Sequence, residues 1–116
     1  MDGIEVFEHG GEGYLPAMSY DGWRVAFANY AERFDKEKFT YLERHLLTDE
    51  AFVLLSGEAS LVIGRDLFEV RLERERIYNV KCGEWHALWL SRDAKVLIIE
   101  NDGTGRENTE YYFLKR

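Results

Sequence analysis

A chain of 116 residues, 46% hydrophobic and 15% aromatic, is long enough for one packed core and too short for two ordinary domains. Its 15 basic and 22 acidic residues leave a formal charge of -7, and the basic ones are scattered, so nucleic acid and anionic lipid are not expected partners. Cys82 is the only cysteine, no apolar run approaches the roughly 18 residues of a membrane span, and the start lacks a signal peptide's features; a cytoplasmic protein is expected.

Ile4 to His9 alternates apolar and acidic residues, the pattern of a half-buried edge strand, and the cluster His9-Gly10-Gly11-Glu12-Gly13 ends it. Leu15 to Met18 and Asp21-Gly22 lead into a strand over Trp23 to Tyr30, with Trp23, Val25, Phe27 and Asn29 on one face and Arg24, Ala26, Ala28 and Tyr30 on the other. The charged segment Ala31 to Phe39 reads as a surface loop or one or two helical turns. Thr40 to Leu47 is the next strand, and period-two alternation puts Tyr41, Glu43, His45 and Leu47 on one side.

After a turn at Thr48-Asp49, Glu50 shares a face with Phe52 and Leu54, and Ala59 to Ile63 follows as a hairpin partner around Ser56-Gly57-Glu58. Gly64-Arg65-Asp66 turns into Leu67 to Leu72, then comes a short strand over Arg76 to Val80 and a turn at Lys81 to Glu84. His86, Leu88 and Leu90 alternate with Trp85, Ala87 and Trp89. The nearly continuous apolar run Lys95 to Glu100 should be buried on both faces, and Tyr111 to Leu114 makes a last strand. Bulky aromatic residues suit a pleated surface, and about nine short strands separated by turn signals point to a sandwich or barrel.

Two stretches carry chemistry. Glu43, His45 and Glu50 stand at the head of the apolar run Phe52 to Leu55, while Lys81-Cys82-Gly83-Glu84-Trp85-His86 delivers another imidazole at the start of a second apolar strand. Imidazoles and carboxylates from the two can meet around one metal ion. The plain alternative makes His45 and His86 satisfied core histidines and Glu50 a buried, hydrogen-bonded acid, although a buried Glu left unpaired is costly.

Glu43-x-His45, Glu50 and Gly57 resemble the first motif of the cupin superfamily, in which two histidines one residue apart are followed by a glutamate and a glycine at these spacings. Lys81-x-Gly83-x-x-His86 resembles its second motif, with Lys81 in the place of a proline; Leu90 stands where an asparagine is frequent. The resemblance covers Thr40 to Asn101 and rests on both motifs occurring in order.

That resemblance implies an all-β, cupin-type jelly-roll β-barrel of two antiparallel sheets, a single cupin domain over residues 1–116 with motif 1 at 43–57 and motif 2 at 81–86. It implies His45, Glu50 and His86 as metal ligands, with Glu43 either completing the set or forming an ion pair with a neighbouring Arg or Lys. The expected cofactor is a divalent transition metal, Mn, Fe, Ni or Zn. The expected partner is a small polar molecule, sugar-like or an oxo or hydroxy acid, held above Phe52, Leu54, Leu88 and Tyr41. Glu43 and Tyr41 are the candidate catalytic residues.

Isomerase, lyase and dioxygenase reactions all occur on cupins, and a non-enzymatic binding or sensing cupin, with or without metal, is the alternative. Trp85 and Trp89, if exposed, make an apolar patch suited to a homodimer; the other reading covers them with the N-terminal strand. Cys82 reads as an unreactive turn thiol, and no clear helix follows Gly103-Thr104-Gly105 to make it a phosphate cradle.

Overall fold

The structure is a computed structural model and describes residues 2–115. Among these, ten strands form two antiparallel sheets of five: β1 (Tyr14–Tyr20), β2 (Trp23–Asn29), β3 (Tyr41–His45), β4 (Glu50–Ser56), β5 (Ala59–Ile63), β6 (Phe68–Arg71), β7 (Tyr78–Val80), β8 (His86–Leu90), β9 (Lys95–Asn101) and β10 (Thr109–Phe113). One sheet runs β1-β2-β9-β4-β7 and the other β10-β3-β8-β5-β6. Short 3-10 turns at Glu32–Phe34 and Arg106–Asn108 are the only helical pieces among the described residues. The expected all-β architecture of two antiparallel sheets is therefore observed.

Alternation along the strands sorts side chains to the space between the sheets. Phe52 and Leu54 of β4, Leu88 and Leu90 of β8, Val96 and Ile98 of β9, and Ala26 and Ala28 of β2 all face inward and are buried together. Burying each of the larger side chains stabilises the fold by about 1.5–3 kcal/mol. Each stripe carries one polar residue at its end: Glu50 before Phe52, His86 before Leu88, Glu100 after Ile98 and Arg24 before Ala26. Because β9 runs antiparallel to both β4 and β2, these ends coincide. The same barrel end therefore collects the polar groups while the remainder of the interior is apolar.

Three local expectations are corrected. Ile4 to His9 is not a strand; Ile4 and Val6 are 58% and 86% exposed, and the first strand is β1, in the segment read as a lead-in. β1 hairpins with β2 through Asp21-Gly22, whose φ values of 46° and 96° are those a two-residue hairpin turn needs. Pro16 disguised β1, yet an edge strand with a bulge between Pro16 and Met18 accommodates it.

Nor do β4 and β5 form a hairpin, since they lie in different sheets and Gly57 carries the chain across. Gly57 has φ +72°, and a Cβ there would stand 2.6 Å from the Cα of Ala94, so the crossing requires glycine. Finally, β9 is not buried on both faces: Val96, Ile98 and Glu100 are buried, while Leu97 and Ile99 on the other face are half-buried.

The ground for a dimer at Trp85 and Trp89 also changes. Both are half-buried, and neither is covered by the N-terminal segment as a strand. Arg44 and Arg65 lie 4.5 and 5.6 Å from the Trp85 ring centre, Lys36 lies 5.3 Å from that of Trp89, and Phe39, Leu42 and Val62 pack beside Trp85. No helix among the described residues is long and apolar enough to cross a membrane.

Candidate functional site

The polar barrel end is a cavity of about 220 Å³ whose walls include Glu43, His45, Glu50, His86 and Glu100. His45 and Glu43 arrive on β3, His86 on the neighbouring β8, where it pairs across from Glu43, and Glu50 and Glu100 come from the facing sheet. Ala51 pairs with Ile99, which sets Glu50 and Glu100 side by side one step further along. Backbone contacts between the two motif segments fix the ligands' spacing. The Gly83 N–H donates to the His45 carbonyl at 2.8 Å, and the Cys82 N–H donates to Asp49 Oδ1 at 2.8 Å.

Hydrogen bonds determine which nitrogen each imidazole presents. His86 Nδ1 lies 3.0 Å from the carbonyl oxygen of Glu84, an acceptor only, so Nδ1 carries the proton and Nε2 faces Glu50 Oε1 at 2.9 Å. The Thr109 hydroxyl donates to the Gly105 carbonyl at 2.8 Å and accepts from His45 Nδ1 at 3.0 Å. His45 Nε2 then faces the carboxylates. It stands 3.2 Å from Glu50 Oε1 and 3.9 Å from Glu43 Oε1, yet it is a buried nitrogen with no aligned hydrogen bond.

Charge is distributed unevenly among the acids. Burial pushes Glu50 up, but the two imidazoles outweigh it and hold its carboxyl below the ordinary value of 4.5. Burial and the adjacent Glu50 push Glu100 the other way, although Tyr14 and Arg24 donate to its Oε2 at 2.6 and 2.7 Å. Burial opposes charge on His45 and His86, and Glu50 reverses it, so both titrate above the ordinary 6.5. In turn, burial and Glu100 raise Tyr14, which stays a donor.

Two overlapping donor sets meet a metal ion's spatial requirement: one ligand atom each from Glu43, His45 and His86, or from His45, Glu50 and Glu100, all within 4.8 Å of one another. Paired imidazoles and carboxylates suit a divalent transition ion, and His45 Nε2, which lacks an aligned hydrogen bond, offers such an ion a lone pair once its proton is released. The four residues singled out by sequence are thus brought together. Among the described residues, Glu43 forms no ion pair with Arg or Lys. Tyr41 lines a neighbouring cavity whose walls also include Glu43 and His86, and it meets Tyr111 edge-on with ring centres 5.4 Å apart.

Sequence reasoning missed Glu100, Arg24, Tyr14 and Thr109. Glu100 had a readable signal, an acid in register with the inward residues Val96 and Ile98, and Arg24 shared the face of Ala26 and Ala28. Thr109 pairs across from His45 on β10, a long-range register with no local sequence signal.

Neither a protein-family model nor a curated protein sequence matches the chain. Solved structures do. A nucleoside dehydratase of Streptomyces, solved with uridine, superposes at a TM-score of 0.68 and 9% identity over 88% of this chain and 78% of its own. A cupin-2 domain protein of Shewanella frigidimarina gives 0.60 and 18% over 83% and 84%, and a 3,4-ketoisomerase of Helicobacter canadensis 0.60 and 17% over 75% and 66%. At such identities the likeness is one of fold, and the chain has the cupin fold.

Proposed function

We propose that this chain is a single-domain cupin that holds a divalent transition metal and binds a small, oxygen-rich ligand in the cavity above it. The observation that carries this is the anchoring of both imidazoles at Nδ1, His86 by the Glu84 carbonyl and His45 by Thr109. Such outer hydrogen bonds fix the tautomer and aim Nε2 at a metal. His45, Glu50 and His86 would hold the ion, with Glu43 and Glu100 as further carboxylates. When bound, the ion supplies a Lewis acid that polarises a ligand carbonyl or activates water.

The chain's own groups have separable roles in this reading. Glu43 is the more accessible carboxylate, its side chain 22% exposed against 8% for Glu50, and in this reading would move a proton at the ligand. Phe52, Leu88 and Ile98 exclude water from below, and Tyr14 and Arg24 orient Glu100. Solved cupin folds named as a nucleoside dehydratase and a ketoisomerase support a small sugar-like ligand and lyase or isomerase chemistry.

A second reading is a metal-free acid–base site, favoured by the 2.9 Å contact of His86 Nε2 with Glu50, which already compensates the buried carboxylate. Metal content by mass spectrometry on untagged protein separates the two. About one equivalent of transition metal, lost in His45→Ala and His86→Ala, supports the first reading; none, even after loading with Mn, Fe, Ni and Zn, leaves the second.

A further inference from the structure

Besides its three glutamates, the cavity is lined by three arginines, and they differ in how they are engaged. Arg24 is spent on Glu100 at 2.7 Å. Arg33 and Arg106 sit at the mouth on the two 3-10 turns, one following β2 and the other preceding β10, and both are exposed. Neither forms an ion pair among the described residues. Arg33 is held instead with its guanidinium 4.6 Å from the ring centre of Phe34, whose side chain is buried in the core. A cation placed over an aromatic face keeps its donors free.

Charge balance then decides what the mouth attracts. The lining glutamates and arginines are equal in number, so a divalent ion held by the glutamates would leave Arg33 and Arg106 uncompensated within the lining, although Glu32 and Glu107 stand on the same turns and the whole chain is at -7. Attraction is therefore local and works against the molecule's overall field. A neutral sugar would leave both guanidinium groups unanswered. At about 220 Å³ the cavity is also smaller than the roughly 300–1,000 Å³ of sites for drug-sized ligands.

We propose that Arg33 and Arg106 form an anion seat at the mouth, and that the ligand of this cavity is a small hydroxy or oxo acid, or its phosphate counterpart, with an anionic group on these arginines. This rests on the metal-and-ligand reading for the inner half of the cavity and adds the ligand's charge. A fork of guanidinium donors matches carboxylate and phosphate alike. The seat is salt-sensitive, because both side chains are exposed.

The test is calorimetric titration of malate and glycerol 3-phosphate, each against its neutral counterpart, malamide and glycerol. It is run on metal-free and Mn-loaded protein, after a separate Mn titration. The seat predicts that at least one anion binds about tenfold or more tighter than its neutral analogue. Arg33→Gln and Arg106→Gln should each weaken that anion about three- to fivefold, leaving Mn affinity unchanged. A preference for malate assigns a carboxylate ligand, and one for glycerol 3-phosphate a phosphate.

Arginine-dependent anion binding in a protein that takes no Mn keeps the seat and overturns the metal reading. Normal Mn binding with no anion preference, or with a preference unchanged in both arginine variants, overturns the seat. Circular dichroism of the variants checks that they are folded; their substitutions are on exposed turns.

Discussion

Gly83 donates its backbone N–H to the carbonyl of His45 at 2.8 Å, so the turn that aims one imidazole is tied to the residue that carries the other. Asp49 strengthens the tie from the β3–β4 loop: Oδ1 accepts from the Cys82 N–H at 2.8 Å and Oδ2 from Asn79 Nδ2 at 3.0 Å. Those donors hold the Asp49 carboxyl below its ordinary value, Asn79 first and Cys82 second. Two stretches more than thirty residues apart thus behave as one ligand platform.

Asp49→Ala should loosen that platform without emptying the core. The expected outcome is about a tenfold loss of metal affinity with a much smaller change in the urea midpoint. Amide exchange at Cys82 should rise in the same variant, because its acceptor is gone. Unchanged exchange would show that the turn is held by other contacts.

Thr109→Val keeps the side chain's volume and removes the acceptor for His45 Nδ1. Metal affinity should fall about tenfold or more, since the imidazole loses the bond that fixes its tautomer and orientation. Stability should fall by only about 1 kcal/mol, the net worth of a typical hydrogen bond. Competition titration against a chelator reads the affinity. Equal affinity in both proteins would mean that strand packing alone orients His45.

Gly57→Ala tests the crossing between sheets. Left-handed backbone at φ +72° is strained for alanine, and its Cβ would meet the backbone of Asp93 and Ala94 under 3 Å, where no flexible side chain can yield. A loss of about 2–4 kcal/mol is expected by chemical denaturation. A loss well under 1 kcal/mol would mean that the 93–94 turn moves aside easily.

What the sequence made legible follows from the range of each interaction. Glu43, His45, Glu50 and His86 could be placed because strand alternation is local and the motif spacings are short. Ile4 to Glu8 has the same alternation without being a strand, since periodicity records a preference and pairing requires a neighbouring strand. The β4–β5 hairpin failed for a related reason. Ser56-Gly57-Glu58 has turn chemistry, and only the close approach of Ala94, 37 positions on, shows that the turn changes sheets. Thr109 and Tyr14 are set by cross-strand partners far away in sequence, where no spacing rule reaches.

The last prediction concerns pH, and it separates metal-free from metal-loaded protein. Glu50 has a lowered folded pKa, so its contribution is present above 4.5 and lost as pH falls below it. His45 and His86 have raised folded pKa values, so theirs is complete below 6.5 and lost as pH rises through the folded values. Both contributions are complete only between these limits. In chelator, the protein should therefore be more stable near about pH 5.5 than near about pH 8.5. A bound divalent ion needs neutral imidazoles and releases their protons, so saturation with Zn should reverse the order. Denaturant midpoints at the two pH values, with chelator and with Zn, measure this. The same order under both conditions would mean that the imidazoles are not exchanging protons for a metal, and Glu50 would then be the partner of two imidazolium groups in the working protein.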